Sequence, residues 1–303
     1  MTGDSKARTL ARIDRLRERF SGRIAIAARN LATGEELLID HKHVFPTAST
    51  IKLAVLVELY RQAERGDSTL DNRLELRPEE VVPGAGVLGD LQPGLLPTLR
   101  DLAVLMIIVS DNTATNMLID HLGGVETVNA SMRNVLGQSS IILHRKVDFD
   151  PVHSAKSPLG VSSPWDLMRL TTAIGNREGI RQWAAGEMIA IMRRQHDLSQ
   201  IPRFLGYNRD DPASKTQQPF WIANKTGYIP GVRADAGLIG LPENQTVAYC
   251  VMSKGSSDTG FTGENESEIA AGIAGRIIVE HWWPEGFAAG ELGVESPHLE
   301  GYV

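Results

Sequence analysis

Residues 46–61 read PTASTIKLAVLVELYR. After Ser49 almost every position is apolar, which is typical of a helix buried on all sides. Ser49 and Lys52 stand three positions apart, so a helix that begins here places both side chains on one face. A lysine in such a setting is desolvated, which lowers the pKa of its amine toward the range where it accepts a serine proton. The stretch predicts an activated serine nucleophile at the start of a helix.

Two more polar motifs follow along the chain. Ser110-Asp-Asn112 comes after the apolar run Leu102–Val109, at the predicted junction of two helices, and capping of the second helix by either of its first two residues would also explain it. Lys225-Thr-Gly227 is predicted to close the strand Phe220–Asn224, and an ordinary turn glycine at a strand end is the alternative. Each motif is weak alone, so their order and spacing carry the information.

The pattern of elements predicts an α/β protein of the α+β sandwich type. Strand-like runs occur near both ends of the chain and helical patterns lie between them, so one antiparallel sheet flanked by terminal helices, with an inserted all-helical lobe, is the economical architecture. We expect a single catalytic unit over residues 1–283 and a poorly ordered tail over 284–303. The unit divides into a sheet lobe (1–48 and 219–283), a helical lobe (49–200) and a loop (201–218).

In the order SxxK, SDN and KTG, the three motifs resemble the set found in class A β-lactamases and penicillin-binding proteins. The 61 positions from Ser49 to Ser110 are similar to the separation in class A enzymes. The resemblance covers about residues 5–283 and extends to Thr98–Leu102, Thr113–Asn116 and Gly231–Arg233. The chain is identified as a member of the class A β-lactamase-like, penicillin-recognising family of serine hydrolases. A β-lactamase/transpeptidase-like fold is the expectation.

The resemblance implies a role for each matching residue of the first two motifs. Ser49 attacks a carbonyl and forms an acyl-enzyme, and Lys52 helps to remove its proton. Ser110 passes a proton to the departing nitrogen or oxygen. Asn112 orients the substrate and the lysine.

The third motif and the strand after it are implied to bind the substrate. Lys225 and Thr226 hold a substrate carboxylate, and Gly227 completes the motif. The oxyanion hole is formed by the backbone N–H groups of Ser49 and Tyr228. Arg233 either binds a substrate carboxylate or forms a structural salt bridge.

One departure from the family pattern concerns turnover. Class A enzymes carry an acid two residues past a loop arginine, where it activates the water that frees the acyl-enzyme, whereas the position two past Arg145 is Val147. Asp148 or Asp150 is a candidate base if the register shifts, and Gly160 stands where the family keeps the acid that pairs with the loop arginine. Slow deacylation of β-lactams is therefore expected.

Two rim segments also depart from the family and point to altered specificity. The loop 201–218 is longer than usual and placed to overhang the site. The segment Val82–Leu88 offers no aromatic gatekeeper on the opposite rim.

Composition restricts the partners and the compartment. The net charge of −6 without a basic run argues against binding of nucleic acid. No apolar stretch is long enough to span a bilayer, which argues against a membrane protein. We therefore expect a small-molecule substrate, namely a β-lactam, an ester or a peptide-like carboxylate. The histidines lack metal-ligand spacing, so we expect no metal and no cofactor, and Cys250 is predicted to be a buried core thiol. The first twenty residues lack a secretory pattern, which predicts a cytoplasmic protein as written, or a periplasmic or secreted one if a leader was removed.

Three functions fit the sequence. The first is hydrolysis of β-lactam amides through an acyl-enzyme. The second is a cytoplasmic esterase, peptidase or amidase that uses the same machinery with weak β-lactamase activity. The third is a penicillin-binding sensor that acylates and stops.

Overall fold

The structure is a computed structural model that describes residues 3–149, 157–209, 220–288 and 296–302. The helices described are α1 (Gly3–Arg19), α2 (Lys52–Arg65), α3 (Leu99–Ile108), α4 (Asn112–His121), α5 (Val125–Leu136), α6 (Pro164–Asn176), α7 (Gln182–Met192), α8 (Glu266–Trp282) and α9 (Glu285–Ala288). The strands described are β1 (Arg23–Asn30), β2 (Glu36–Ile39), β3 (Phe45–Pro46), β4 (Ile142–Leu143), β5 (Gly160–Ser162), β6 (Trp221–Ile229), β7 (Val232–Gly240) and β8 (Thr246–Lys254). None of the described helices combines the length and the apolar character needed to cross a membrane.

Five strands form one antiparallel sheet in the order β2-β1-β8-β7-β6. Successive side chains point to opposite faces, so alternate residues of one strand enter different cores. In β1, Ala25 and Ala27 pack toward the helical lobe, whereas Ile24 and Ile26 pack toward α1 and α8. The sheet therefore has a core on each face, as the predicted sandwich requires.

The helical lobe is organised around α2. Its residues Lys52 to Tyr60 are all buried, which explains why the sequence shows no polar stripe there. A short 3₁₀ turn, Ala48–Ile51, precedes the helix, so Ser49 lies in the turn and Lys52 in the first helical position. Gly66 ends the helix in a left-handed conformation with φ of 80°.

The edge strand β6 corrects one expectation. The sequence predicted that Lys225-Thr-Gly227 closes the strand, but β6 continues to Ile229 and turns into β7 at Gly231. Tyr228 and Arg233 are paired across this hairpin. The prediction was wrong because a glycine inside a strand resembles a turn signal in sequence.

The structure also has a second, three-stranded sheet, β3-β5-β4, which the sequence did not predict. Its strands have only two or three residues, which is too short for an alternating pattern. The carbonyl of Gly160 in β5 accepts a hydrogen bond from the Thr47 amide at 3.0 Å. This small sheet therefore fixes the chain just before Ser49.

The segment predicted as an overhanging loop begins as ordered structure. Ile201–Phe204 is a 3₁₀ helix, and Ile201 and Phe204 are buried against Gly272 and Gly275 of α8. Residues 210–218 lie outside the described residues. The tail also differs from the expected poor order in its described part, because Leu299 and Tyr302 are buried in the core under α1 and α8.

Candidate active site

The turn that carries Ser49 has a strained backbone. Ala48 has a φ of 45°, which is uncommon for a residue with a Cβ. The hydroxyl of Thr50 donates to the carbonyl of Thr47 at 2.7 Å and closes the turn from inside. Ser49 stays partly exposed while Thr47, Ala48, Thr50 and Ile51 are buried. The fold thus presents one hydroxyl to the surface from an otherwise buried turn, and such local strain is concentrated at functional sites.

Lys52 connects the first two motifs. Its fully buried Nζ donates to the backbone carbonyl of Ser110 at 2.8 Å, to the Ser110 hydroxyl at 3.1 Å and to Oδ1 of Asn112 at 3.0 Å. Burial lowers the pKa of Lys52 well below its ordinary value, and the nearby charge of Lys225 lowers it further, while Asp111 acts in the opposite direction. The structure therefore brings Lys52, Ser110 and Asn112 into one hydrogen-bonded group around an amine whose pKa is lowered by burial.

The middle residue of the SDN motif has the capping role that the sequence left open. The Asp111 carboxylate accepts from the Ala114 amide at 2.8 Å and so caps α4. It also accepts from the amides of Val87 and Leu88, each at 2.7 Å. Asp111 therefore holds the 82–88 segment at the site while Ser110, at a φ of 56°, is turned toward Lys52.

Gly227 lets strand β6 lie against the nucleophile turn. A Cβ at this position would come within 2.7 Å of the Ser49 amide nitrogen and 2.8 Å of the Thr47 carbonyl oxygen. Any side chain would separate the strand from the turn, so the glycine is required for close backbone approach. This contact brings Gly227, the residue before Tyr228, against the Ser49 amide.

Lys225 is fully buried and lies two residues before Gly227 on the same strand. Its Nζ donates to the carbonyl of Thr226 at 2.7 Å. Burial lowers the pKa of Lys225 to about 8, opposed by the charges of Asp197 and Asp235.

Asp235 was not singled out in the sequence, although it lies on the neighbouring strand β7 and its carboxylate is hydrogen-bonded to strand β6. Its carboxylate accepts from Asn224 Nδ2, the Tyr249 hydroxyl and the Ile201 amide, all at 3.0–3.1 Å. Burial raises the pKa of Asp235 to about 7 despite these donors. Its only sequence signal was its place on a buried strand, where a charged residue needs partners.

Arg233 forms the structural salt bridge that was one of its two expected roles. Its Nε donates to Glu268 at 2.8 Å, Nη1 to the carbonyls of Ile229 and Val232, and Nη2 to that of Gly260. The side chain is 1% exposed. The structure does not bring its guanidinium to the surface where a substrate carboxylate would bind.

The loop after β4 holds Val147 where a deacylating acid was expected. Val147 is 9% exposed, and its backbone is held by Asn116, which donates to its carbonyl and accepts from its amide, both at 2.8 Å. Asp148 forms an ion pair with Arg145 at 3.1 Å. Asp150 lies outside the described residues. The missing partner acid has a packing cause, because a Cβ on Gly160 would be 2.8 Å from the Ile142 carbonyl and 2.9 Å from Ile51.

These elements surround a cavity of about 470 Å³ that opens at Ser49. Asn112, Val147, Asp148 and Tyr228 also line it, so the nucleophile turn, the SDN motif, the loop and the edge strand meet here. Among the described residues, no three His, Cys, Asp or Glu side chains are grouped to hold a metal ion.

The comparisons with known proteins agree with this geometry. The model of the beta-lactamase enzyme family matches residues 8–282. The chain belongs to this family. The expected recognition, enzyme class and mixed α/β fold are confirmed.

Several relatives of this β-lactamase-family chain cover most of its length. Beta-lactamase OXY-2 of Klebsiella oxytoca is 27% identical over 250 residues, which are 82% of this chain and 72% of that protein. The crystal structure of a beta-lactamase from Sphaerobacter thermophilus has a TM-score of 0.78 at 27% identity and covers 90% of this chain and 96% of that one. A leucine-to-glutamate mutant of PBP-A, solved as an acyl-enzyme complex with penicillin G, has a TM-score of 0.76 at 28% identity and covers 91% and 96%.

Proposed function

We propose that the protein is a serine hydrolase that opens β-lactam amides by forming an acyl-enzyme on Ser49. The observation that carries this proposal is the Lys52 amine, fully buried and hydrogen-bonded to Ser110 and Asn112, one helical turn from Ser49. Family membership and the β-lactamase relatives support the same chemistry. In this scheme a neutral Lys52 takes the Ser49 proton as Oγ attacks the ring carbonyl.

The two buried lysines have different roles in this proposal: Lys52 transfers a proton and Lys225 binds the substrate. Each is desolvated, and the charge of Lys225 further lowers the pKa of Lys52. Lys225 therefore carries the positive charge that attracts a substrate carboxylate, with Thr226 beside it. Lys52, whose pKa burial and the charge of Lys225 both lower, takes the role of proton acceptor in this proposal.

Acylation is completed by the backbone and by Ser110. The oxyanion that develops on the carbonyl accepts hydrogen bonds from the amides of Ser49 and Tyr228, and the close approach of Gly227 to the Ser49 amide supports this assignment. When the carbon–nitrogen bond breaks, the Ser110 hydroxyl gives its proton to the nitrogen. Lys52, hydrogen-bonded to that hydroxyl at 3.1 Å, returns the proton it took from Ser49.

Val147 favours a second candidate within the same chemistry, namely an esterase or amidase that turns over smaller acyl groups faster than β-lactams. A water must be positioned and deprotonated to free the acyl-enzyme, and a buried valine cannot act as its base. Asp148, ion-paired with Arg145 at the cavity wall, is the proposed alternative base.

The test is intact-mass spectrometry after mixing the protein with benzylpenicillin and, separately, with p-nitrophenyl acetate. We expect a covalent adduct of benzylpenicillin on Ser49 that persists, with faster release from the acetyl ester. If no adduct forms and no hydrolysed product accumulates with either compound, the proposed function is wrong. Rapid hydrolysis of benzylpenicillin without a detectable adduct would support the β-lactamase and exclude slow deacylation.

A further inference from the structure

The cavity beside Ser49 has an unusual concentration of exposed apolar side chains. Phe149 is 58% exposed and Phe261 is 61% exposed, and Tyr228 and Ile229 are also exposed. All four line the same cavity. Single exposed apolar residues are ordinary on protein surfaces, but a cluster around one concave site indicates a binding surface.

One wall of this cavity is formed by a pair of aromatic side chains, Tyr228 and Phe261, that contact a buried arginine. The rings of Tyr228 and Phe261 meet edge to face, with centroids 5.9 Å apart. The Arg233 guanidinium carbon lies 5.8 Å from the Tyr228 ring centroid and 5.3 Å from that of Phe261. Glu268 and three backbone carbonyls hold the Arg233 guanidinium in place by hydrogen bonds. Because both rings contact this cation, the wall is preformed in the absence of a ligand.

The opposite wall contains Phe149, which packs on Gly84. A Cβ at Gly84 would lie 2.7 Å from the Phe149 ring and 3.0 Å from Nδ2 of Asn112, so the absence of a side chain there makes room for the ring. Pro158 and Leu159 continue this wall. The segment Val82–Leu88 thus lacks an aromatic residue of its own but supports one from the loop.

Among the described residues that line the cavity, the formal charges form one pair of opposite sign. Arg145 and Asp148 are its only formally charged lining residues among those described, and they form an ion pair at 3.1 Å. The Arg233 guanidinium is held by protein acceptors and does not line the cavity. A charged ligand group would lose its water here without gaining an unopposed partner, whereas an apolar group would bury surface on both walls.

The position of the cavity identifies the part of the substrate that fills it. Ser110 and Lys225, which serve the leaving group and its carboxylate in the proposed function, do not line the cavity, whereas Ser49 does. The cavity therefore lies on the side of the acyl part that remains attached to Ser49.

We infer that the preferred substrate carries a bulky, uncharged, apolar substituent on its acyl part, and that this group binds between the Tyr228–Phe261 wall and Phe149. The inference rests on the proposed function and adds the substrate class to it. Binding energy from such a group raises the rate of acylation when it is realised in the transition state.

The test uses penicillins that share one nucleus and differ only in the side chain: acetyl, phenylacetyl and α-carboxyphenylacetyl. The second-order rate constant of acylation is measured by intact mass for each. We expect the phenylacetyl compound to react at least tenfold faster than the acetyl compound, which lacks the ring. We also expect it to exceed the carboxylated one, which has the same ring with a charge added.

Variants then locate the effect. Phe261→Ser and Phe149→Ser should each reduce the phenylacetyl preference severalfold, and both residues are exposed, so the fold should tolerate the change. Leu96→Ser is the matched control, because Leu96 is 53% exposed and does not line the cavity. Equal acylation by all three penicillins would overturn the inference and leave the proposed function intact. Absence of both an adduct and hydrolysed product with every penicillin would overturn both.

Discussion

The two halves of this site differ in how completely they are built. Around Lys52, the acylation half is buried, strained at Ala48 and Ser110, and joined by hydrogen bonds of 2.8–3.1 Å. In the loop that should serve deacylation, the backbone of Val147 is held as firmly by Asn116, yet its side chain carries no proton-accepting group. The loop is therefore held in place, but residue 147 lacks the acid that class A enzymes use as the base for deacylation.

This contrast indicates that loop position and loop chemistry are fixed by separate residues. Asn116 holds the loop through backbone atoms of residue 147, so it places the loop whatever side chain residue 147 carries. A change from acid to valine can therefore alter turnover without moving the loop. Lys52 allows no such separation, because its position and its chemistry both depend on one buried amine.

The largest expected effect tests the acylation half alone. Ser49→Ala should abolish adduct formation and lower the hydrolysis of any accepted substrate by roughly 10³-fold or more, as expected for loss of a nucleophile. The measurement is adduct mass together with steady-state hydrolysis, and Ser257→Ala, an exposed serine outside the cavity, is the control. Activity retained within about tenfold in Ser49→Ala would mean that another group is the nucleophile.

The next effect distinguishes proton transfer from charge at Lys52. Lys52→Arg keeps a positive charge but cannot lose its proton near neutral pH, so acylation should fall by about 10²–10⁴-fold. Acylation rates are compared with those of Lys254→Arg, which makes the same change at a half-buried lysine whose Nζ donates to the Val44 carbonyl. Since arginine is larger and residue 52 is buried, chemical unfolding checks the fold, and Lys52→Met provides a second variant without a charge. An acylating Lys52→Arg or Lys52→Met enzyme would contradict the proposed base.

Placing an acid at position 147 tests the deacylation half of the site. Val147→Glu should shorten the lifetime of the penicillin adduct by about 10²-fold or more, because general-base help of this kind contributes on the order of 10²–10⁴-fold. Adduct decay is followed by mass, and acylation rates should stay unchanged, since the Lys52 amine is held by Ser110 and Asn112 and the Val147 backbone by Asn116. Asp148→Asn, made in the unmodified background, is the companion variant.

The companion variant decides where the base is. If the unmodified enzyme already releases product rapidly and Asp148→Asn does not, Asp148 is the base despite its pairing with Arg145. A Val147→Glu enzyme with an unchanged adduct lifetime would mean that position 147 does not reach the water.

The sequence predicted best those residues whose chemical role follows from their type and spacing. Their spacing predicted Ser49 and Lys52 on one face of a helix, and the resemblance to class A enzymes implied that Ser110 acts with them. The structure joins Lys52 to Ser110 by hydrogen bonds. The sequence predicted least well the roles that depend on contacts across the fold. Whether Arg233 faces substrate or Glu268 depends on the path of the segment that contains Gly260, which no spacing encodes.

The aromatic walls were missed for the same reason. Phe149 and Phe261 are 112 positions apart, in segments without a motif, and they line one cavity only after the sheet and the loop are assembled. The very short strands β3, β4 and β5 carry no periodic signal, although they fix the turn before Ser49. The proposed deacylation base stays a prediction.

The smallest expected effect concerns Lys225 and the pH dependence of acylation. Burial lowers the pKa of Lys225 to about 8, so its amine is protonated below that pH and becomes neutral as the pH rises through it. A substrate carboxylate loses its partner above pH 8, and the acylation rate constant of a penicillin should fall by up to about tenfold per pH unit. Because deprotonation of Lys52 affects every substrate, the quantity to follow is the ratio of the penicillin rate to that of p-nitrophenyl acetate, which has no carboxylate. In Lys225→Arg the charge persists, so the ratio should stay level to higher pH. A ratio that is flat through pH 8 in the unmodified enzyme would mean that Lys225 does not bind the carboxylate, and the role would pass to another group at the site.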